Sequence, residues 1–387
     1  MESFVLNKEK NKQQRKALNA WALNNCYGSI IAGTGFGKSR CGVLACKYVL
    51  ESTTDTRALI LVPTIQLREQ FADEFHKWEC SEYLDRIDIL CYQSAYKLHK
   101  QQYELVVCDE VHLGLSKEYR KFFINNNYNR LLTMTATMPE DILYKLELLK
   151  MAPKVYEITL DQCVAMGLVS PYEIYCLPLE LTLGERLEYD AIHKEFVEHK
   201  VALGPDAFNI AKVFIKSKQA TSEEKYHAAG FYKTIRERKS IVDQAQAKIT
   251  SFKELVNNNL DKRIITFGGL NEFTDKLAKS VEPLAEVYHS KRTLKKRREA
   301  LRRFKEGEVN ILCSTKALNQ GFDIPNANVG IICGLTSKAL SMIQRIGRLI
   351  RFEEGKVGKI YILYIKDSQE EKWLRNSVRD LSGVKWL

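Results

Sequence analysis

The octapeptide Ala32-Gly33-Thr34-Gly35-Phe36-Gly37-Lys38-Ser39 restricts this chain more than any other segment. An apolar run at 29–32 reads as a strand before it, and a helical pattern follows it. Glycines between a strand and a helix let backbone N–H groups turn toward one point, and the helix N-terminus adds its dipole. Phosphate is the anion that such a loop holds. Lys38 is the expected partner of the β- and γ-phosphates of ATP, and Ser39 an expected Mg²⁺ ligand. Gly33, Thr34, Gly35, Phe36, Gly37, Lys38 and Ser39 are thus the expected nucleotide contacts. The usual first glycine of such a loop is replaced here by the small residue Ala32.

The surrounding pattern specifies an α/β fold. Segments 29–32, 58–62, 87–91, 105–108 and 131–135 are short, rich in Val, Ile and Leu, and lack polar alternation. Strands buried on both faces of a parallel sheet have this character. Helices between them complete right-handed crossovers, with ligands expected at the strand carboxyl ends. From 182 to about 259 the chain is long, charged and helical, with a break near Leu203-Gly204-Pro205. In its second half Phe231, Ile235, Val242, Ala245, Ile249, Phe252 and Val256 recur at helical spacing, which predicts an arm with one buried face. Arg238 falls on that stripe and is expected to snorkel from it. Strand patterns return at 263–267, 309–313, 329–333 and 359–365, with a final helix from Gln369. The expected division is a first lobe at 1–165, a connecting segment at 166–181, a helical insertion at 182–259 and a second lobe at 260–387.

Two further motifs carry chemistry. Cys108-Asp109-Glu110-Val111-His112 follows a predicted strand about 70 residues after the phosphate loop. Asp109 is expected to hold Mg²⁺ through water, and Glu110 to orient and deprotonate an attacking water. The segment 344–351 reads Gln-Arg-Ile-Gly-Arg-Leu-Ile-Arg, and a helix places Arg348 and Arg351 on one face. That face is either a solvated basic surface or a source of arginines for the transferring phosphate, where such groups contribute roughly 10³–10⁵ in rate.

Composition supports a polyanionic partner. Lys and Arg number 59 against 48 acidic residues, for a net charge of +11, and nucleic acid is the leading candidate. The ten cysteines form no C-x-x-C pair, so a zinc site or disulfide framework is not expected, and a reducing compartment is. No apolar run approaches the roughly 18 residues needed to span a bilayer. A soluble, intracellular protein with no membrane partner is the expectation.

Taken in order, these motifs resemble those of superfamily 2 helicase-type ATPases of the DExH group over nearly the whole chain. The likeness is greatest to the branch of UvsW and XPB-type proteins and restriction-enzyme motor subunits, on Asp-Glu-Val-His, Thr-Met-Thr-Ala-Thr and the stretch from Leu160-Asp161 to Pro171-Tyr172. The resemblance implies two RecA-like parallel-sheet lobes with a helical insertion between them. It implies that Gln14 reads adenine and that Pro63, Thr64, Gln93 and Ser94 touch the nucleic-acid backbone. Thr135 and Thr137 would couple hydrolysis to movement, together with His112. In the second lobe it implies a motif from Thr315 through Gly321 to Asp323, with Thr315 on nucleic acid and Asp323 on the nucleotide. Gly321 and Gln344 would share in the coupling, and Arg348 and Arg351 would complete the catalytic site from that lobe.

The activity implied is an ATP-dependent DNA helicase or translocase on single-stranded, duplex or branched DNA. An RNA-directed motor is the alternative, because the same backbone motifs serve either polymer. A clamp switched by ATP and a restriction-type motor subunit are further readings. The compactness is that of a minimal motor, and a viral origin is one expectation. Segment 291–305, with nine Lys and Arg residues, reads either as a solvated face or as a phosphate-contacting one. Phe231 and Tyr232 of the insertion read either as core or as a wedge between strands.

Overall fold

The computed structural model describes residues 8–136, 138, 141–315, 327–336, 357–379 and 381–387. The Val/Ile/Leu runs form strands as their burial requires. In the first lobe these are β1 (Tyr27–Ala32), β2 (Ala58–Val62), β3 (Ile87–Cys91), β4 (Gln102–Cys108), β5 (Asn127–Thr135) and β6 (Lys154–Ile158). All pair in parallel, in the order β3-β2-β4-β5-β1-β6. Every side chain of β2 and the last four of β4 are buried, which only a sheet covered on both faces allows. The helices of this lobe are α1 (Lys8–Leu23), α2 (Lys38–Glu51), α3 (Ile65–Lys77), α4 (Tyr92–Ala95), α5 (Lys121–Asn125), α6 (Ile142–Met151) and α7 (Leu160–Ala165). Trp21 of α1 is buried, and its indole N–H donates to the Leu131 carbonyl at 3.0 Å.

The second sheet corrects the expected division. Segment 166–181 is no mere connection, since it carries β7 (Tyr172–Leu179). This strand pairs in parallel with β12 (Gly358–Ile365) along its whole length, from Tyr172 opposite Gly358 to Leu179 opposite Ile365. Tyr172, Ile174 and Cys176 face the core while the residues between them are half-buried, an alternation unlike the continuous runs elsewhere. The other members are β8 (Ile264–Phe267), β9 (Ala285–Tyr288), β10 (Ile311–Ser314), β11 (Val329–Ile332) and β13 (Val384–Trp386). Their order is β13-β7-β12-β11-β8-β10-β9, again all parallel.

The helical stretch folds as α8 (Leu183–Leu203), α9 (Ala207–Lys216), α10 (Ser222–Asp243) and α11 (Gln246–Asn257). Capping boxes start α8 at Thr182/Glu185 and α10 at Thr221/Glu224. The single stripe expected from 231 to 256 is split at 244–245, between α10 and α11, and serves three clusters. Phe231 packs with Leu203, Ala207, Ala211 and Ala228 inside the insertion. Val242 and Ala245 join Leu181, Tyr189 and Ile365. Phe252 and Val256 belong to the second-lobe core with Ile264, Phe273 and Leu277. Arg238 does not snorkel. It is buried, its guanidinium lies 4.3 Å from the Phe196 ring centroid, and it donates to Tyr189 Oη at 3.1 Å and Gln369 Oε1 at 3.3 Å. Among the described residues the remaining helices are α12 (Asn271–Lys279), α13 (Leu294–Glu306) and α14 (Gln369–Val378). All ten cysteines are buried and unbridged, and no described helix is long and apolar enough to cross a membrane.

Because Phe252 is wholly buried against the second lobe, Phe252→Ala should cost about 3–5 kcal/mol, read as a lowered urea midpoint. A change within the usual surface range of about 0.5 kcal/mol would mean that α11 does not pack there.

Candidate nucleotide site and nucleic-acid face

Parallel pairing sends the carboxyl ends of all strands in a sheet to one edge. The phosphate loop follows β1, Asp109-Glu110 follows β4, and Thr135 ends β5 between them. Pro63-Thr64 follows β2, and Gln93-Ser94 lies in α4 just after β3. In the second lobe Thr315, a buried residue, follows β10. The fold thus brings the first lobe's expected site residues to a single edge. Thr137, Gly321, Asp323, Gln344, Arg348 and Arg351 lie outside the described residues.

The loop is shaped by glycine. Gly37 is the N-cap of α2 with φ 87° and ψ 46°, and no side chain caps this helix. Gly35 has φ 92°. A Cβ on Gly35 would stand 2.3 Å from Val169 Cγ1, and one on Gly37 2.4 Å from Gln14 Nε2. The first-turn amides of α2 therefore open onto an anion cradle without a competing side-chain cap. Ala32 is tolerated because it ends β1 in extended backbone, where a glycine offers nothing. The Ala32 carbonyl accepts a hydrogen bond from Lys38 Nζ at 3.0 Å. Thr34 and Ser39 are half-buried, whereas Gly33 and Phe36 are buried.

Gln14, expected to read adenine, is bound to the loop itself. Its amide Nε2 donates to Phe36 O at 2.7 Å and Gly37 O at 3.3 Å, and its Oε1 accepts from Arg40. Arg40 also donates to Asn11 Oδ1 at 2.9 Å and lies over the Trp78 ring at 4.3 Å. Tyr156 packs its ring on Phe36 and donates its hydroxyl proton to Gln13 Oε1 at 2.9 Å. Asn11, Gln13, Arg40 and Tyr156 were not legible as site residues. They brace the loop from α1, α2 and β6, and no local motif marks them.

The acidic motif is held as firmly. Asp109 is buried, its N–H donates to Leu61 O at 2.9 Å, and its carbonyl accepts from Tyr92 Oη at 2.9 Å. Burial holds the Tyr92 phenol well above its ordinary pKa, so it remains a donor. Glu110 takes left-handed backbone, φ 48° and ψ 53°, at a cost of about 1–3 kcal/mol for a residue with a Cβ. That turn starts the short helix Val111–Leu113 and leaves Glu110 Oε2 3.5 Å from His112 Nδ1. The same nitrogen lies 3.4 Å from Thr135 Oγ1. When it carries a proton it can donate to Glu110, and when it does not it can accept from Thr135. The strand ends of β4 and β5 are thereby linked through one imidazole.

Thr64 caps α3, its hydroxyl accepting from Leu67 N at 3.3 Å. Gln93 Nε2 donates to Pro63 O at 3.2 Å, so the motifs after β2 and β3 form one surface on which Gln93 and Ser94 are exposed. The basic segment 291–305 is mostly α13, and part of its charge is already paired. Arg302 meets Glu299, Glu306 and Glu308, and Arg303 meets Glu286 and Glu308. Lys291 pairs with Glu272 and Arg292 with Asp275. Lys295, Lys296, Arg298 and Lys305 are exposed and can meet phosphates. Phe231 is core, 5.5 Å from the Phe196 ring and 5.3 Å from that of Phe208, and no wedge.

Alanine at Gly37 would have to adopt left-handed backbone and displace Gln14. Gly37→Ala should weaken binding of a fluorescent ATP analogue at least tenfold, a change of about 1.4 kcal/mol, while circular dichroism stays unchanged. Unaltered affinity would contradict the cradle.

Comparison with known proteins fits this geometry. Residues 7–140 match the family model of the type III restriction enzyme res subunit, and residues 247–353 match the helicase conserved C-terminal domain. The chain is 26% identical over 370 residues to the DNA 3'-5' translocase XPB2 of Sulfurisphaera tokodaii, covering 90% of this chain and 80% of that protein. It is 37% identical over 84 residues to the ATP-dependent RNA helicase ROK1 of Meyerozyma guilliermondii, a match covering 22% of this chain and 15% of that one. The fold is shared with the Hef helicase domain of Pyrococcus furiosus, at a TM-score of 0.62 and 15% identity over 97% of this chain and all of the other.

Proposed function

We propose that this chain, which belongs to the superfamily 2 helicase-type ATPases in the XPB-like and restriction-motor branch, is a DNA translocase that remodels duplex or branched DNA. It is a nucleic-acid-dependent ATPase of helicase type. The observation that carries the choice of DNA is the length of the translocase match, 90% of this chain, against 22% to 33% for RNA helicases.

In this reading ATP is the substrate and the glycine-held amides of α2 receive its phosphates. Lys38 leaves the Ala32 carbonyl to neutralise the β/γ-oxygens. The donor set fits a hydrated divalent cation, since a hydroxyl at Ser39 and a buried carboxylate at Asp109 are oxygen ligands. Mg²⁺ held there would neutralise charge on the phosphate oxygens. Glu110 accepts the proton of the attacking water, and His112 holds the carboxylate in place. Thr135 accompanies that imidazole, and through it Thr137 and the strand end feel whether the γ-phosphate is present. Arg348 and Arg351 approach from the second lobe, with Gln344 and Asp323. Closure of the lobes then depends on a ligand that both contact, and hydrolysis removes it. Pro63, Thr64, Gln93, Ser94 and Thr315 grip the backbone of one strand, so sequence preference is weak and salt dependence steep.

Glu110→Gln should lower DNA-stimulated ATP turnover by at least a hundredfold, the lower end of a general base's usual contribution of about 10²–10⁴, and Lys38→Ala should do the same through loss of charge on the phosphates, worth about 10²–10³. Retention of the stimulated rate would refute the site. Matched DNA and RNA strands should differ, with stimulation by DNA; stimulation by RNA alone would reverse the choice of polymer.

A further inference from the structure

Helices α8, α9, α10 and α14 line a cleft of about 1130 Å³ that contains none of the expected nucleotide residues. Its aromatic wall is α8. Tyr189, His193, Phe196 and Lys200 recur at spacings of three and four, so they share one face of that helix. The rings stack in sequence, Tyr189 on His193 at 6.1 Å and His193 on Phe196 at 6.0 Å between centroids. Desolvation and the Arg238 charge hold the His193 imidazole below its ordinary pKa, so at neutral pH it adds an uncharged ring. Phe208 of α9, Ile235 of α10 and Trp373 of α14 extend the apolar lining. An apolar stripe of this kind ordinarily packs against a core. Here Val201 is 73% and Phe208 60% exposed, and such a patch marks a place where something binds.

The cation in this cleft is the informative part. Arg238 is only 8% exposed, and its Nη2 donates to two neutral groups, Tyr189 Oη and Gln369 Oε1. Its Nε is buried without a hydrogen-bond partner, and among the described residues no carboxylate pairs with it. The Phe196 ring at 4.3 Å offsets part of the cost of burying that charge. A carboxylate brought to the guanidinium would remove the rest, because its oxygens match the planar donors. Lys200 and Lys372, both exposed on the cleft, favour the same sign of ligand.

The acids of the cleft decide which anion. Asp190, Asp367 and Glu371 also line it, with Glu371 paired to Arg375 and Asp190 lying 3.9 Å from Arg186. A strand of phosphates laid along the cleft would meet three carboxylates. A ligand carrying few charges on an apolar body reaches Arg238 without that repulsion. The volume exceeds the roughly 300–1,000 Å³ of small-molecule pockets, and the exposed apolar positions offer room for more than one side chain.

We infer that this cleft docks an acidic peptide of a partner protein, with one carboxylate on Arg238 and adjoining aromatic or branched apolar side chains against Phe196, Val201 and Phe208. The inference goes beyond the translocase reading and does not depend on it.

The test selects a random dodecapeptide display library on the full-length protein. Recovered peptides are then made with a fluorescein label and titrated by anisotropy. The site predicts sequences in which Asp or Glu adjoins Phe, Trp, Leu or Ile. Kd should rise at least tenfold, a change of about 1.4 kcal/mol, when the peptide's acids become Asn or Gln. The same loss is expected for Arg238→Gln and for the surface variant Lys200→Glu/Val201→Asp. The surface variant keeps the test decisive if Arg238→Gln fails to fold, and its basal ATP turnover should stay unchanged. Failure to recover any peptide, peptides without acids, or equal binding by wild type and surface variant overturns the proposal. So does displacement of the peptide by an oligothymidylate whose own binding falls in the surface variant, since the cleft would then be a nucleic-acid face.

Discussion

Parallel strand pairing is the constraint on which the rest of this structure depends. It sends every strand's carboxyl end to one edge, so residues far apart in sequence become neighbours without any loop having to travel. Ser39, Thr64, Gln93, Asp109 and Thr135 are spread over about a hundred residues, yet each follows or ends a strand of one sheet. Such a sheet must be covered on both faces, which explains the uninterrupted apolar runs of β2 and β4. The second sheet repeats the arrangement, with Thr315 and Cys333–Leu335 at the exits of β10 and β11.

Where the edge residues meet, the energetics favour rigidity over comfort. Gly35 and Gly37 take left-handed backbone at little cost because they have no Cβ. Glu110 takes it with a Cβ, and the surrounding contacts must compensate for that strain. They come from neighbours of little chemical distinction: Tyr92 on the Asp109 carbonyl, Leu61 on the Asp109 amide, His112 beside the Glu110 carboxylate. Acids held in place in this way need no rearrangement for the role proposed for Glu110, taking a proton from an attacking water.

Much of this was legible in the sequence because it depends on local pattern. The phosphate loop, the acidic motif and most of the central strands announce themselves by glycine spacing and by apolar runs. The strands that escaped notice lie at or near sheet edges. In β6 (Lys154–Ile158), β9 (Ala285–Tyr288) and β13 (Val384–Trp386) half or more of the side chains reach solvent, so charged residues interrupt the apolar signal. β7 alternates in place of running continuously, and its membership in the second sheet depends on β12, about 180 residues away. The stripe from Phe231 to Val256 kept helical spacing across the break at 244–245, so periodicity alone could not reveal three separate destinations. Arg238 departs from its expected place, and the loop contacts of Gln14 add to its expected role, for a common reason: what a polar side chain does depends on which carbonyls and rings the fold brings to it. Spacing carries no record of the Phe36 carbonyl or the Phe196 ring.

The central claim is that ATP and DNA act on one another through closure of two lobes around a shared site. Thermodynamic linkage gives this its most direct test. Affinity for duplex DNA is measured with and without a non-hydrolysable ATP analogue, and affinity for the analogue with and without DNA. The account predicts that each ligand shifts the other's dissociation constant by the same factor, about fivefold or more. Two affinities that ignore one another would contradict it.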